Sequence, residues 1–418
     1  MLLYRTLPRG RSLPSSAAFW TVAFAYLIVM ALSALPAPLY VLYQQRDHLS
    51  SLVITVIFAI YAIGVVASLL LAGHTSDWLG RKRVLVPAVL LNAVSAAVFI
   101  LWPALPGLLL ARVLSGLSVG AMTATATAYL AELHVAGRPR TPGRRAELVA
   151  TGASLGGIGL GPLAGGLLAQ FVRDPLVVPY VVLGSLAVAA AVLVQFAPET
   201  VRVIERPRYH RQRISLPTSG RARFVAATAG GVVAFAVFGL FTSLAPSFVA
   251  DTLGYRSHAL AGAVAFLVFA AGAVAQSLLA RLDARRLAGV GVGLLPVGLA
   301  LLTVATWRPS LPAFVAGGVL AGAGAGVLFK GGINTVLELA PRDARAETLA
   351  GFFLAAYLGL SAPIIGLGLA TQYVSARVGL LAFSGVLVAA IAVLGRALVH
   401  AEPRAVRALR ITEQGGRA

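Results

Sequence analysis

Two basic side chains lie inside long apolar stretches of this sequence, where a charge is costly unless it is paired or hydrated. They are Arg112 and Lys330. Asn334 and Glu338 follow Lys330 at steps of four residues, which places all three near one face of a helix. Lys330 could bind a carboxylate or phosphate of a substrate, or it could be the titrating group, because a desolvated Lys releases its proton readily. Alternatively, both long side chains could extend to a membrane surface.

The acidic residues are distributed differently from these two cations. All 14 lie in loops or near the ends of the apolar stretches, and none lies at the centre of one. A buried cationic substrate needs a counter-charge, so this distribution favours a neutral lipophilic or an anionic substrate. If protons drive the protein, the candidate groups are Asp47, Glu132, Glu338 and a system of Lys330 with Arg112.

The sequence offers little for other kinds of chemistry. It has no Cys, and none of its six His residues forms a pair at helical metal-ligand spacing. It also has no Walker-type phosphate loop. We therefore expect no enzyme activity, no metal site, no cofactor and no use of ATP as the energy source.

The element that must position these charges is a membrane-spanning helix. Of the 418 residues, 59% are apolar and 11% are charged, against about 25% charged in soluble domains. Because lipid cannot satisfy backbone polar groups, apolar stretches of this length must be helical. We predict an all-α membrane protein with twelve transmembrane helices. The predicted helices cover residues 18–42, 50–73, 84–102, 104–132, 147–171, 177–197, 223–250, 259–280, 287–306, 311–337, 347–372 and 378–399.

The formal net charge of +20 follows the predicted topology. With the N-terminus inside, the inner segments carry 27 of the 34 Lys and Arg residues and the outer loops carry five. Basic residues concentrate on the cytoplasmic side of membrane proteins. We therefore predict a multi-pass protein of the cell membrane (the inner, cytoplasmic membrane) with both termini in the cytoplasm. Its charge would contact the lipid bilayer rather than nucleic acid.

The two halves of the chain resemble each other when the sequence is shifted by 206 residues. This shift aligns the fourth predicted helix with the tenth through the pairs Gly116 and Gly322, Gly120 and Gly326, and Glu132 and Glu338. We predict two pseudo-symmetric six-helix bundles, at 1–197 and 223–400, with the transport pathway between them near the midplane. The polar segment 198–222 would be a cytoplasmic linker, and 401–418 a cytoplasmic tail.

The segment GHTSDWLGRKRVL, residues 73–85, resembles the signature loop of the major facilitator superfamily. It lies between the second and third predicted helices, as that family requires. Gly73 and Gly80 permit a tight turn between helices, and the resemblance assigns Asp77, Arg81 and Lys82 to a charge network. We expect Asp77 and Arg81, with Glu132 as their partner, to latch the halves together when the inside is closed. The sequence departs from the family pattern at Trp78, where a basic residue is usual.

Three further segments follow the family pattern. Residues 112–120, RVLSGLSVG, resemble its Arg–Gly–Gly helix motif and assign proton movement or gating to Arg112. Residues 157–166, GIGLGPLAGG, resemble the motif of its antiporters. Pro36 and Pro38 resemble a motif of the twelve-span drug–proton antiporters. The residues that carry the antiporter resemblance are Gly157, Gly161, Pro162, Gly165 and Gly166.

The resemblance implies the major facilitator fold and a monomeric secondary transporter of a small molecule. The expected function is proton-coupled efflux of a small lipophilic or anionic compound by alternating access. An alternative is proton-coupled uptake of an organic anion or metabolite, with Lys330 as the anion site. A membrane sensor without transport activity is the third possibility. Sugar transport is disfavoured, because the central helices are mostly Ala, Val, Leu and Gly.

Overall fold

The computed structural model describes residues 12–72, 75–138, 143–201, 220–341 and 344–399. Gly73, most of the predicted linker and the predicted tail therefore lie outside the described residues, and the domain boundaries stay predictions. Twelve helices in the described ranges are long and apolar enough to cross a membrane, which confirms the predicted fold class. They are α1 (Ser15–Ala34), α2 (Ser51–Ala72), α3 (Arg81–Leu101), α4 (Leu105–Gly137), α5 (Arg144–Phe171), α6 (Val178–Gln195), α7 (Arg221–Ser243), α8 (His258–Leu278), α9 (Ala284–Trp307), α10 (Leu311–Leu339), α11 (Arg345–Ala370) and α12 (Ala376–Val399).

Capping side chains fix the starts of three consecutive helices. The side chains of Ser257, Asp283 and Ser310 accept hydrogen bonds from backbone N–H groups in the first turns of α8, α9 and α10. Such caps satisfy donors that have no partner within the helix. The second half of the chain therefore places its helix ends by local sequence as well as by hydrophobic length.

Two helices are less regular than the sequence predicted. The predicted helix 18–42 is broken, because α1 ends at Ala34 and is followed by a 3₁₀ turn at Ala37–Leu39 and a helix at Tyr40–Asp47. Pro36 and Pro38 cause this break, since neither has a backbone N–H for a helical hydrogen bond. In α5 the residues Gly152–Gly156 form a π-helical turn, and the helix then continues through Pro162.

Helix contacts repeat between the two halves. Helix α4 packs against α1, α2 and α3, and its counterpart α10 packs against α7, α8 and α9. Between the halves, α2 contacts α11 and α5 contacts α8, which is again a symmetric pair of contacts. The pattern confirms the prediction of two pseudo-symmetric six-helix bundles.

The glycines that repeat in sequence also repeat in their structural role. A Cβ on Gly116 of α4 would collide with the Tyr61 carbonyl oxygen on α2. A Cβ on Gly322 of α10 would collide in the same way with the Val268 carbonyl oxygen on α8. Small residues let membrane helices approach until their backbones touch. The internal repeat therefore preserves the same close helix crossing in each half.

The helix bundle has two ends. The Arg81 end carries the N-terminus of α3, the C-terminus of α4 and the N-terminus of α11. The opposite end carries the C-terminus of α3 and the N-termini of α4 and α8.

Candidate functional site

A cavity of about 690 Å³ lies between the two halves. Along α4 its wall extends from Arg112 to Ala131, which is about 28 Å of helix at 1.5 Å per residue. At the Arg81 end the wall includes Gly143 and Glu147. The volume falls within the range of cavities that enclose drug-sized ligands. The cavity therefore leads from the interior of the bundle toward the Arg81 end.

Close contacts between the halves seal the opposite end. On α11, Gly368 lies against the side chain of Thr55, and the Ser361 hydroxyl donates a hydrogen bond to the Ala59 carbonyl at 3.3 Å. On the other side, a Cβ on Gly166 would collide with the His258 carbonyl oxygen. These contacts join α2 to α11 and α5 to α8 at the same end.

The cavity wall is aromatic, which the sequence reasoning missed. Phe238 and Phe269 stack with their ring centroids 4.7 Å apart. The ring centroid of Tyr357 in the second half lies 6.4 Å from that of Tyr61 in the first half. The central helices are indeed rich in Ala, Val, Leu and Gly, but the fold turns their aromatic residues toward one another. The aromatic residues of the wall are Tyr26, Tyr40, Phe58, Tyr61, Phe235, Phe238, Phe269, Phe329, Phe353 and Tyr357.

Arg112 lies in this wall and is only 3% exposed, so it does not extend to the membrane surface. Its Nη1 donates to the Ser33 carbonyl at 2.7 Å, and its Nη2 donates to the Phe58 carbonyl at 3.4 Å. The guanidinium carbon lies 4.4 Å from the centroid of the Tyr61 ring, a cation–π distance. Its Nε is buried and has no hydrogen-bond partner among the described residues. The charge is therefore held by carbonyls and rings and not by an acid in the described part of the chain.

Pro36 and Pro38 follow shortly after Ser33, whose carbonyl accepts a hydrogen bond from Arg112. Ser33 is in the last turn of α1, and the helix break follows within three residues. The motif of Pro36 and Pro38 and the Arg–Gly–Gly motif of residues 112–120 thus lie next to each other in the fold. Their separation in the sequence did not reveal this.

Lys330 is paired with an acid that the sequence reasoning did not select. Its Nζ lies 2.5 Å from Oε1 of Glu147, and the two side chains come from α10 and α5 in different halves. The Lys330 side chain is 11% exposed, whereas that of Glu147 is 58% exposed. Glu147 lies in the first turn of α5, where an acid is expected simply to complement the helix dipole. The sequence therefore contained no signal for a partner 183 residues away.

The predicted trio of Lys330, Asn334 and Glu338 is not brought together. Glu338 is exposed and lies 3.3 Å from Nη2 of Arg223, so its partner belongs to α7 of its own half. Asn334 is partly buried and does not line the cavity among the described residues. Helical spacing put these residues near one face, but helix packing pairs Lys330 with Glu147 and Glu338 with Arg223.

Arg81 forms the centre of a charged group that we call the Arg81 cluster, defined as Ser76, Asp77, Arg81, Glu132, Glu199 and Thr200. Its guanidinium lies 2.5 Å from Asp77 and 2.7 Å from Glu132, and the Arg81 side chain is 8% exposed. The Glu199 carboxylate accepts hydrogen bonds from the backbone N–H groups of Arg81 and Lys82 at the start of α3. This is the favoured place for an anion at a helix.

Two neighbours complete the turn around the Arg81 cluster. Gly80 has φ of 103°, a left-handed conformation that glycine adopts without strain. The Lys82 ammonium donates to the carbonyl groups of Gln195 and Ala197 at the end of α6. The acidic partners of the Arg81 guanidinium, Asp77 and Glu132, both belong to the first half, and Glu199 lies in the segment predicted as the linker. The predicted latch between halves is therefore not formed by the described residues in this conformation.

The glycine motif of α5 has two packing faces. Gly157, Gly161 and Gly165 lie against carbonyl groups of α1, while Gly166 lies against α8. Gly262 of α8 in turn lies against the Pro162 carbonyl. The motif therefore brings α5 close to its own half and to the other half at once.

Two comparisons with known proteins bear on these observations, and a third gave nothing. The model of the Major Facilitator Superfamily matches residues 22–288, which is more than half of the chain. The fold resembles the crystal structure of the human organic anion transporter MFSD10 (TETRAN), with a TM-score of 0.62 and 17% identity. That match covers 92% of this chain and 100% of the other. No curated protein sequence matches the chain.

Proposed function

The chain belongs to the major facilitator superfamily, and on this premise we propose that it is a proton-coupled exporter of small lipophilic organic anions. The observation that carries the proposal is the Arg112 guanidinium, which lies in an aromatic cavity between the halves and has no acidic partner among the described residues. A cation in an apolar wall favours a ligand that combines an anionic group with a lipophilic body. The similar fold of a protein named as an organic anion transporter supports the same class.

Alternating access follows from the asymmetry of the two ends. The cavity leads toward the Arg81 end, while the halves touch each other at the opposite end. If the Arg81 end faces the cytoplasm, as the distribution of basic residues predicts, an exporter in this conformation loads its substrate. Rocking the halves about the central site would then open the opposite end.

Glu147 is the group we propose for proton coupling. It is the single acidic residue of the cavity wall in the described part of the chain, and its partner Lys330 lies in the other half. A charged Glu147 attracts Lys330 of the other half and resists further separation of the halves at the Arg81 end. A protonated Glu147 loses most of its attraction for Lys330, so this end opens more readily. A proton that arrives from outside and leaves inside would thereby exchange for the anion.

Uptake of an organic anion with Lys330 as its site is the less favoured alternative. Lys330 is already engaged by Glu147, whereas Arg112 is deeper and retains an unpartnered Nε. The glycine motif of residues 157–166 also resembles that of antiporters. Both observations support exchange of a proton for a substrate held at Arg112.

The test uses purified protein in liposomes that contain a pH-sensitive dye. The probes are 2-naphthalenesulfonate and the neutral 2-naphthalenesulfonamide, compared in wild type, Arg112→Gln and the control Arg308→Gln, whose side chain is exposed outside the helices. We expect the sulfonate alone to move, in the direction opposite to protons, in wild type and in the control but not in Arg112→Gln. Movement of anion and protons in the same direction would support uptake. Equal transport by Arg112→Gln would contradict the proposed anion site.

A further inference from the structure

Two residues that line the cavity each carry a buried nitrogen donor that lacks a hydrogen-bond partner within the described part of the chain. The donors are Nε of Arg112 and Nε2 of Gln276, whose residues are 3% and 6% exposed. Arg112 comes from α4 in the first half, and Gln276 comes from α8 in the second. Each half therefore contributes one such residue to the described part of the cavity wall.

A buried donor without a partner is unfavourable by about 1–3 kcal/mol, and native proteins rarely leave one unsatisfied. Water or a ligand must complete such a group. The surroundings of Gln276 favour a ligand with a large apolar body. Phe269 lies two turns before it on α8 and stacks on Phe238, and both rings line the cavity. An amide donor at the edge of an aromatic wall is a typical means of orienting a lipophilic ligand.

The two donors lie at different depths. Arg112 is seven residues from the start of α4, and Gln276 is 18 residues from the start of α8, and both helices begin at the opposite end. At 1.5 Å per residue, the two positions differ by roughly 15 Å along the bundle. The cavity extends farther than this along α4. One elongated ligand can therefore contact both.

We propose that Gln276 is a second recognition site for the substrate, which rests on the proposed function and narrows its substrate class. The substrate is an elongated aromatic anion whose negative group binds Arg112 and whose far end carries a hydrogen-bond acceptor for Gln276. Such a ligand contacts both halves at once, so its binding depends on their relative position. An anion without the distal acceptor makes a polar contact with Arg112 of the first half but none with Gln276 of the second half.

The test compares two ligands of equal shape by their effect on thermal unfolding of the full-length protein in detergent. The probes are 4′-acetylbiphenyl-4-carboxylate and 4′-isopropylbiphenyl-4-carboxylate, which differ in the distal acceptor. We expect wild type to bind the acetyl compound about three- to tenfold more tightly, as one hydrogen bond of about 0.5–1.5 kcal/mol implies. Gln276→Leu should bind both compounds equally, and Gln276→Met should do the same if the leucine variant is unstable. The control Gln372→Leu, at an exposed position, should keep the preference.

The outcomes separate this inference from the proposed function. A preference that survives in both Gln276 variants would overturn the role of Gln276. Equal binding of the two compounds to wild type, with binding still lost in Arg112→Gln, would overturn the second recognition site and leave the anion site intact. Binding that is unaffected by Arg112→Gln, or absent from wild type, would overturn the substrate class together with the inference.

Discussion

The two halves of the molecule are held together by different kinds of contact at its two ends. At the opposite end, glycines of α5, α8 and α11 bring backbones and small side chains into contact across the halves. At the Arg81 end, the described ion pair between halves is Glu147 with Lys330. Glycine packing does not respond to protons, whereas an ion pair is weakened when its acid is protonated. On the proposed mechanism, proton sensitivity therefore belongs to the end toward which the cavity leads.

The largest loss of transport is expected from a substitution at the opposite end, where glycines pack across the halves. In Gly262→Val the added side chain would collide with the Pro162 carbonyl, so the opposite end cannot close. Overpacking of this kind is unfavourable by about 1–3 kcal/mol, and we expect transport to fall on the order of 100-fold. The chain has no Cys, so a single Thr55→Cys reports on this end, and it should react faster with a membrane-impermeant thiol reagent.

The matched control for this prediction is Gly289→Val on α9, where a Cβ has open space. It should leave both transport and the labelling of Thr55→Cys unchanged. Unchanged labelling in Gly262→Val would mean that this contact does not hold the opposite end closed.

A smaller effect is expected at Arg112, which lies between the two ends. Arg112→Gln removes a charge-assisted interaction with an anion, which is worth about 1.5–3 kcal/mol. We predict that the dissociation constant of 2-naphthalenesulfonate rises by about 10- to 100-fold, while that of the sulfonamide changes little. Isothermal titration of the purified protein measures both. Equal weakening for the two compounds would show that Arg112 acts through structure and not through charge.

At the Arg81 end the expected effect is smaller again. Glu147 is half-exposed, so its pair with Lys330 should contribute about 0.2–1 kcal/mol. Glu147→Gln should therefore shift the equilibrium toward an open Arg81 end by less than about fivefold. The rate at which the membrane-impermeant thiol reagent labels Thr127→Cys in the cavity wall should increase accordingly. This rate should no longer depend on pH.

Charge reversal provides the control for the ion pair. The double variant Glu147→Lys with Lys330→Glu should restore slow labelling of Thr127→Cys, because the attraction between halves is rebuilt. Lack of restoration would indicate that the two residues act independently.

The smallest effect is expected from Asp77, an exposed member of the Arg81 cluster. The side chain of Asp77 is 61% exposed, whereas that of Glu132 is 32% exposed, and both contact Arg81. Since exposed ion pairs contribute about 0.2–1 kcal/mol, Asp77→Asn should lower thermal stability less than Glu132→Gln does. If Asp77→Asn also impairs transport while the protein stays folded, the cluster forms a latch in another conformation. Unchanged transport would limit the cluster to holding α3, α4 and α6 together.

The sequence was sufficient to predict the helices and the internal repeat, because hydrophobic length and glycine positions are local properties. The partners of Arg81 could also be expected, since Asp77 lies one turn away and the loop motif is distinctive. The partner of Lys330 could not, because Glu147 lies in another helix and resembles an ordinary helix-start acid. Gln276 was missed for a related reason. A single amide in an apolar helix has meaning only once the fold shows whether its N–H groups are satisfied.

The most direct test measures distances between the halves at both ends as pH is lowered from mildly alkaline to mildly acidic. Spin labels at Ala136→Cys and Arg345→Cys report on the Arg81 end, and labels at Ser50→Cys and Tyr373→Cys report on the opposite end. For protein in liposomes, we predict that acidification lengthens the distance at the Arg81 end, and that Glu147→Gln has the longer distance at every pH. Distances that do not change with pH in wild type, or that change equally in Glu147→Gln, would contradict proton coupling through the pair of Glu147 and Lys330.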